Sequence, residues 1–187
     1  MSNTLHDYHG DVVGALHCTG ATEPFFRLEP MIDIHPGVDL TLMDFQGADF
    51  NGMNLTGANF TGATLTGADF TNANLTGATL TNVNFTNANL TGATLTGATL
   101  TNVNLTGATL TGMNLTGANF TGADFTGANF NRCEFNSCYF NECKFNNYFN
   151  ECKFNECKFI RCEYNKCEFI LCEYISVYVT LVPGILM

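Results

Sequence analysis

Every fifth residue from Leu40 onward is apolar. Leu40, Phe45, Phe50, Leu55, Phe60 and Leu65 open a series that runs through Phe85, Leu105 and Phe125 to Phe145, and all 22 positions are Leu or Phe. One residue is then missing, and Phe149, Phe154, Phe159, Tyr164, Phe169 and Tyr174 resume the period in a new phase. A spacing of five fits neither the 3.6 of a helix nor the 2 of a strand. On a helix it would smear apolar groups over every side. The backbone must instead turn a corner once per repeat.

Two further columns give the shape of that corner. Two residues before each Leu or Phe stands Ala, Met or Val from Met43 to Ala128, and then Cys at Cys133, Cys138 and Cys143. Two inward residues thus flank one outward residue, as in a short extended segment. Two residues after each Leu or Phe, from Gly47 to Gly127, 13 of 17 positions are Gly and the rest are Asn72, Asn82, Asn87 and Asn102. Gly and Asn best tolerate positive φ, so this column predicts a tight turn that needs it. Each repeat reads as one side of a square. Four sides make a coil of about twenty residues, and coils stack as parallel strands roughly 4.8 Å apart. No repeat buries its own apolar pair; stacking does.

Ala48-Asp49-Phe50-Asn51-Gly52 and Ala58-Asn59-Phe60-Thr61-Gly62 carry the motif of the pentapeptide-repeat proteins: Ala, Asp or Asn, Leu or Phe, Ser or Thr, Gly. The chain resembles that family over about three quarters of its length. The resemblance implies a right-handed quadrilateral β-helix. The expected fold class is therefore all-β, a parallel β-helix solenoid of about seven coils with a non-repeat N-terminal cap. The expected divisions are a cap segment, 1–39, a solenoid, 40–179, with a phase break at 146–149, and an apolar tail, 180–187.

The cap segment holds Pro24, Pro30, Pro36 and all four histidines. Phe25, Phe26, Leu28, Met31, Ile32 and Ile34 are expected to cover the first coil, with 31–34 as a strand. Residues 11–18 read as a short helix, weakened by Gly14 and the β-branched Val12-Val13. No spacing among His6, His9, His17, Cys18 and His35 matches a structural zinc site.

From Met43 to Phe130 the outward residues are Thr, Asn, Asp and Gly, which are expected to hydrogen-bond in ladders between coils. Thr-Leu-Thr recurs at 64–66, 79–81, 94–96, 99–101 and 109–111, and such rows resemble those of ice-binding proteins. Here they fall on all four faces, and only the segments at Leu80 and Leu100 stack directly. No flat ice-matching array is expected.

At Arg132 the chemistry changes. The corner column becomes Arg132, Ser137 and Glu142, then Glu151, Glu156, Arg161, Lys166 and Leu171. Positive φ is costly for such side chains, so the corners are expected to switch to negative φ. Glu151/Lys153, Glu156/Lys158 and Lys166/Glu168 are expected to pair across corners.

Eight of the nine cysteines lie in the inward column, where free Cys acts as a compact hydrophobe. Stacking places Cys133 under Cys152 under Cys172, Cys138 under Cys157, and Cys143 under Cys162. Core thiols are expected rather than disulfides or a zinc held by Cys152, Cys157, Cys162 and Cys167. The compartment reads as reducing and cytoplasmic.

The net charge is −10, with ten acidic residues and one basic residue in 1–131 against seven and six in 132–187. This argues against nucleic-acid binding, which needs Lys and Arg. No apolar run approaches a membrane span, and no secretory leader is visible. No catalytic constellation and no cofactor motif is seen. The chain therefore reads as a non-enzymatic scaffold that binds an unknown protein partner through its ends or flat faces, as part of a larger assembly. The alternative is the DNA-mimic role of the family's quinolone-resistance branch, which binds gyrase. It is disfavoured, because the middle coils carry too few carboxylates to stand in for phosphates. The candidate interface is Val177, Val179, Leu181, Ile185 and Leu186. This tail is expected either to fold back as a cap or to present an apolar edge to a partner, a C-terminal homodimer included.

Overall fold

The structure, a computed structural model, describes residues 3–6, 12–16, 34–146, 148–164 and 167–180. Among these, the regular structure is strands and isolated β-bridges, with no helix. Strands β1 (Asn3–His6) and β2 (Val12–Leu16) form a two-stranded antiparallel sheet, with Asn3 opposite Leu16 and His6 opposite Val12. The helix expected over 11–18 is thereby corrected: β-branched Val12 and Val13 favour extended backbone. Phe25, Phe26, Leu28, Met31, Ile32, His9, His17, Cys18, Leu181, Ile185 and Leu186 lie outside the described residues. Ile34 is buried without being in a strand.

From Asp39 the chain is a four-sided parallel β-helix. The four sides are set by bridges between residues twenty apart, Asp39 to Asn59, Asp44 to Thr64, Asp49 to Asp69 and Asn54 to Asn74. Buried backbone N–H groups need partners, and one repeat shows how all five are met. Asn59 N–H donates down to Val38 O (2.9 Å), while Phe60 and Gly62 donate up to Thr79 O and Thr81 O (2.8 Å each). Ala58 N–H closes the corner on Leu55 O at 3.0 Å. Thr61 N–H is met within the repeat by Asn59 Oδ1 at 3.1 Å.

The corners turn through positive φ, at 69° for Gly62 and 58° for Asn82. The expected switch beyond Arg132 does not occur. Arg132, Ser137, Glu142, Glu151, Glu156, Arg161 and Leu171 all have φ between 51° and 56°. The direction of the coil fixes the corner, and the side chain accepts the strain because stacking above and below over-determines the backbone.

What does change is how the corner closes. Alanines bond back over Phe as easily as over Leu (Ala48 to Phe45, 3.0 Å; Ala63 to Phe60, 2.9 Å). The bond is longer at Met43 (3.3 Å) and Val83 (3.4 Å), but Met53 keeps it at 3.1 Å and Ala123 has it at 3.5 Å over Phe120, so inward bulk alone does not set its length. The last such bond among the described residues is Ala128 to Phe125 (3.0 Å), just before Cys enters the column. Single bridges then lengthen into strands.

These strands form four parallel sheets. The first holds β3 (Asn119–Thr121), β6 (Tyr139–Asn141), β10 (Lys158–Ile160) and β14 (Tyr178–Thr180). The second holds β4 (Phe130–Asn131), β8 (Tyr148–Asn150) and β12 (Glu168–Ile170). The third holds β5 (Glu134–Asn136), β9 (Lys153–Asn155) and β13 (Glu173–Ile175). The fourth holds β7 (Lys144–Phe145) and β11 (Glu163–Tyr164). The phase break is absorbed within one coil. Phe140 pairs with Phe159, Phe130 with Phe149, and Phe149 with Phe169, so inward residues stay over inward residues.

The core is the column of stacked side chains down the axis. Leu40, Phe45, Phe50, Leu55, Phe60, Leu65, Phe85, Leu105, Phe125, Phe145 and Phe149 are all buried, whereas Phe169, in the last coil, is 41% exposed. Toward the C-terminus four aromatic files run along the axis. Phe120–Phe140–Phe159 stack at 5.0 and 4.5 Å, and Phe130–Phe149–Phe169 at 4.8 and 4.7 Å. These distances match the strand spacing, so ring stacking and ladder pairing reinforce one another. The leucine-rich middle packs less fully and leaves a void of about 10 Å³ beside Leu90, Leu110 and Phe125. An apolar void of that size stays dry.

Candidate interaction surfaces

The outward surface of the middle coils is small, polar and already hydrogen-bonded to itself. Asn and Asp oxygens accept from the Thr two residues on: Thr71 Oγ1 donates to Asp69 Oδ1 (2.5 Å) and Thr86 Oγ1 to Asn84 Oδ1 (2.6 Å). This local pairing, an Asx-type motif, takes up the hydroxyls that follow an outward Asn or Asp, whereas those of the Thr-Leu-Thr rows do not share in it. Inter-coil bonds such as Asn89 Nδ2 to Thr71 Oγ1 (2.8 Å) are fewer. The Thr rows lie on all sides, with Thr79 stacked under Thr99. Asp39 accepts from Thr41, which holds its carboxyl below the usual carboxylate range.

Cys133, Cys138, Cys143, Cys152, Cys157 and Cys162 are buried thiols outside any disulfide. Each donates to the carbonyl of an inward residue one coil below: Cys138 Sγ to Leu115 O (2.7 Å), Cys157 Sγ to Phe135 O (3.1 Å), and Cys133 Sγ to Leu110 O. Hydrogen bonding to the stacked Cys152, and then burial, push the Cys133 thiol up; Cys138 under Cys157 and Cys143 under Cys162 behave alike. These three thiols, held protonated, are poor nucleophiles and poor ligands, while the same bonds lower Cys152, Cys157 and Cys162. Among the described residues, no group of three or more His, Cys, Asp or Glu is placed to hold a metal.

After Asp39, Asp44, Asp49 and Asp69, charge resumes at Asp124 and is from there ordered along the axis. Asp124 lies under Lys144, which lies under Glu163. Glu134 lies under Lys153, which lies under Glu173. Lys158 sits between Tyr139 and Tyr178. The corners pair opposite signs too, with Arg132 Nε on Glu151 at 2.8 Å and Arg161 on Glu142 at 3.5 Å. The pairs expected across corners are thus corrected: among the described residues no ion pair joins Glu151 to Lys153 or Glu156 to Lys158. Residues of the same column in successive coils are ladder neighbours, whereas a corner turns its two flanking side chains apart. An open groove of about 390 Å³ follows Arg132, Glu134, Glu151, Lys153 and Glu173 and shares this mixed charge.

The last coil differs from all those before it. Phe169, Tyr174 and Val179 occupy inward positions yet are substantially exposed. After their inward residues, the lower coils carry Asn131, Asn136, Asn150 and Asn155, where the last coil carries Ile170 and Ile175. Ile175 is 61% and the corner residue Leu171 78% exposed. Of the candidate interface, Val177 is half-buried and Val179 is 53% exposed. Ile170, Leu171 and Tyr174 belong to the same patch. Sequence reasoning missed them, although the change from Asn to Ile after the inward residue marks them.

The family profile described as pentapeptide repeats (8 copies) matches residues 44–82, 73–112 and 110–147. Among solved structures, the chain is similar to full-length QnrB1, a plasmid-mediated fluoroquinolone resistance protein, at 16% identity and TM-score 0.53, covering 80% of this chain and 93% of that one. It is similar to the pentapeptide repeat protein Rfr23 of the cyanobacterium Cyanothece 51142 at 29% identity and TM-score 0.46, over 58% of this chain and 66% of the other. It is also similar to a pentapeptide repeat protein of the Arabidopsis thaliana thylakoid lumen, at 41% identity and TM-score 0.34, over 51% and 66%. The chain thus spans just under two thirds of the length of the cyanobacterial protein. A comparison with curated protein sequences gives no match.

Proposed function

Because the chain belongs to the pentapeptide-repeat family, we propose that it serves as a protein-interaction scaffold without catalytic activity, a stiff four-sided rod that docks partners through its ends. The observation that carries this reading is the last coil, where Phe169, Ile170, Leu171, Tyr174, Ile175 and Val179 form one exposed apolar end. Soluble proteins seldom leave a contiguous apolar patch of this kind without a use for it. The middle faces support the same reading by contrast. Between Met43 and Asn136 no large apolar side chain is exposed, so these faces offer a partner no apolar anchor. The buried, protonated thiols suit a reducing compartment.

The test is partner capture by the intact chain against Leu171→Glu and Ile175→Glu variants. The partner that co-purifies with the intact chain is expected to be lost from both. Retention by both variants sinks the proposal. Duplex-DNA mimicry, suggested by the QnrB1 likeness, needs carboxylates distributed along the rod. Outward positions from Asn54 to Asn119 are instead Thr and Asn, with Asp69 as the one carboxylate. No inhibition of gyrase supercoiling is expected; inhibition at stoichiometric protein would reverse the order of the two readings.

A further inference from the structure

The charged coils follow a rule that the last coil leaves incomplete. Outward positions alternate in sign along the axis, Asp124–Lys144–Glu163 on one side and Glu134–Lys153–Glu173 on the opposite side. The corners also pair opposite signs in successive coils, Arg132 under Glu151 and Glu142 under Arg161. Like charges placed directly opposite one another destabilise a ladder, and opposite charges stabilise it. A coil stacked beyond the last one therefore needs lysine or arginine over Glu163 and Glu173. Among the described residues none occupies that layer, and residues 181–187 contain no charged side chain.

We propose that the C-terminal end receives the first coil of a different solenoid protein, running parallel over the last coil. It brings basic side chains above Glu163 and Glu173 and apolar ones above Phe169, Tyr174 and Val179. The proposal rests on the reading of the ends as docking surfaces and names the partner's chemistry.

A second copy does not fit this surface. The first coil of the chain carries exposed Asp39, Asp44 and Asp49 on three adjacent sides, with Asn54 on the fourth. Glu163 and Glu173 lie on opposite sides, so every rotational setting of a head-to-tail stack lays at least one Glu over an Asp. A two-fold pair brings the same acidic rim against itself. Both homotypic arrangements gain apolar burial at the expense of like-charge contact, and a basic coil gains both terms.

The probe is a synthetic peptide of residues 142–160, the coil that already lies beneath the last one and points Lys144 and Lys153 outward below Glu163 and Glu173. Its control carries Lys144, Lys153 and Lys158 each replaced by Glu. Both are titrated against the full-length chain under reducing conditions at low salt, followed by fluorescence anisotropy. Hydrogen exchange at the amides of Phe169, Leu171, Tyr174 and Ser176 reports whether the end itself is covered. The lysine peptide is expected to slow those amides and to bind about fivefold more tightly than the control. Glu163→Gln/Glu173→Gln, which leaves the core untouched, is expected to abolish most of that preference. Slowed amides with no charge preference overturn this inference while leaving end-docking intact. Doubling of the mass of the chain in light scattering, with no peptide bound, assigns the end to a second copy and overturns it. Amides already slow in a monomer without peptide mean that the chain covers its own end, and then both this inference and the end-docking reading fall.

Discussion

At Gly62 and at Arg132 the chain turns the same corner, with φ of 69° and 56°, but the two ends of the solenoid reach that conformation by different means. In the Gly/Ala half the backbone is free to adopt it, and an N–H three residues on ties it shut. In the Cys/Phe half the side chain resists it, no such bond closes it, and stacking holds it instead. Three-residue strands replace single bridges, aromatic files replace leucines, and thiols donate into the coil below. The Phe ladder is not the cause, because Ala48 and Ala63 close normally over Phe45 and Phe60. The bond is nonetheless at its longest at Ala123 over Phe120, in the first three-residue strand, and among the described residues it is absent once Cys takes over the small column. A corner can thus be stabilised locally, by glycine and its hydrogen bond, or by its neighbours along the axis.

The comparison is tested most severely in the core. Phe135 is fully buried and stacks on Phe154 at 4.7 Å, in a region that relies on stacking. Phe135→Ala is expected to cost about 4 kcal/mol in urea unfolding. Leu105→Ala, beside the looser leucine section, is expected to cost about 3 kcal/mol. Equal losses would argue that aromatic stacking adds nothing particular to the second half.

Alkali separates the halves next. The Cys133, Cys138 and Cys143 thiols are raised above their ordinary 9.0 when folded. Their contribution is fully present below pH 9.0 and is lost as pH rises past it, where unfolded thiols ionise and folded ones do not. The hydrogen bonds that raise them lower the partners Cys152, Cys157 and Cys162, so each pair gains stability as pH rises toward 9.0 and loses it above, where unfolded thiols ionise and the raised member does not. Aromatic circular dichroism, dominated by the tyrosines of the C-terminal coils, is expected to melt first. Uniform loss of all signal in one step would contradict a separate, thiol-dependent half.

Corner strain is a smaller term. At Gly97 an added Cβ meets nothing within 4 Å, so Gly97→Ala isolates the backbone cost at φ 65°. The expected loss is about 1–2 kcal/mol. The reciprocal Ser137→Gly, at φ 54°, is expected to gain about 0.5 kcal/mol, the relief of strain being partly offset by a freer unfolded chain. A loss at Ser137→Gly would show that the second half no longer resists its corners. The smallest effect belongs to Arg132→Gln. Both partners of the Arg132–Glu151 pair are exposed, so no measurable shift of the unfolding midpoint is expected at physiological salt.

Much of this was legible in residue order, because a solenoid reuses one local rule. The Leu/Phe beat, the Ala column and the Gly/Asn column announced inward, inward and corner. Only that combination makes a four-sided coil. The reading failed where local preference was trusted against the stack. Glu142 and Arg161 argue for negative φ one residue at a time, yet both turn through positive φ. Val12-Val13 went the other way: read as helix, they form strand β2. Charge pairing was misread for the same reason. Glu151 and Lys153 are neighbours in sequence, but the partner of Glu151 is Arg132, nineteen residues earlier. As for the docking surface, sequence marked Val177 and Val179 but not Leu171 or Ile175, whose exposure depends on being last in the stack.

The amino-acid sequence by itself determined the period, the inward and outward assignment and the position of each corner, because those follow from side-chain size, polarity and tolerance of φ within five residues. The tertiary structure decided the sign of φ at the charged corners, the closing bonds and the partner of each charge. Those depend on what lies one coil above and below, twenty residues away along the chain and about 4.8 Å away in space.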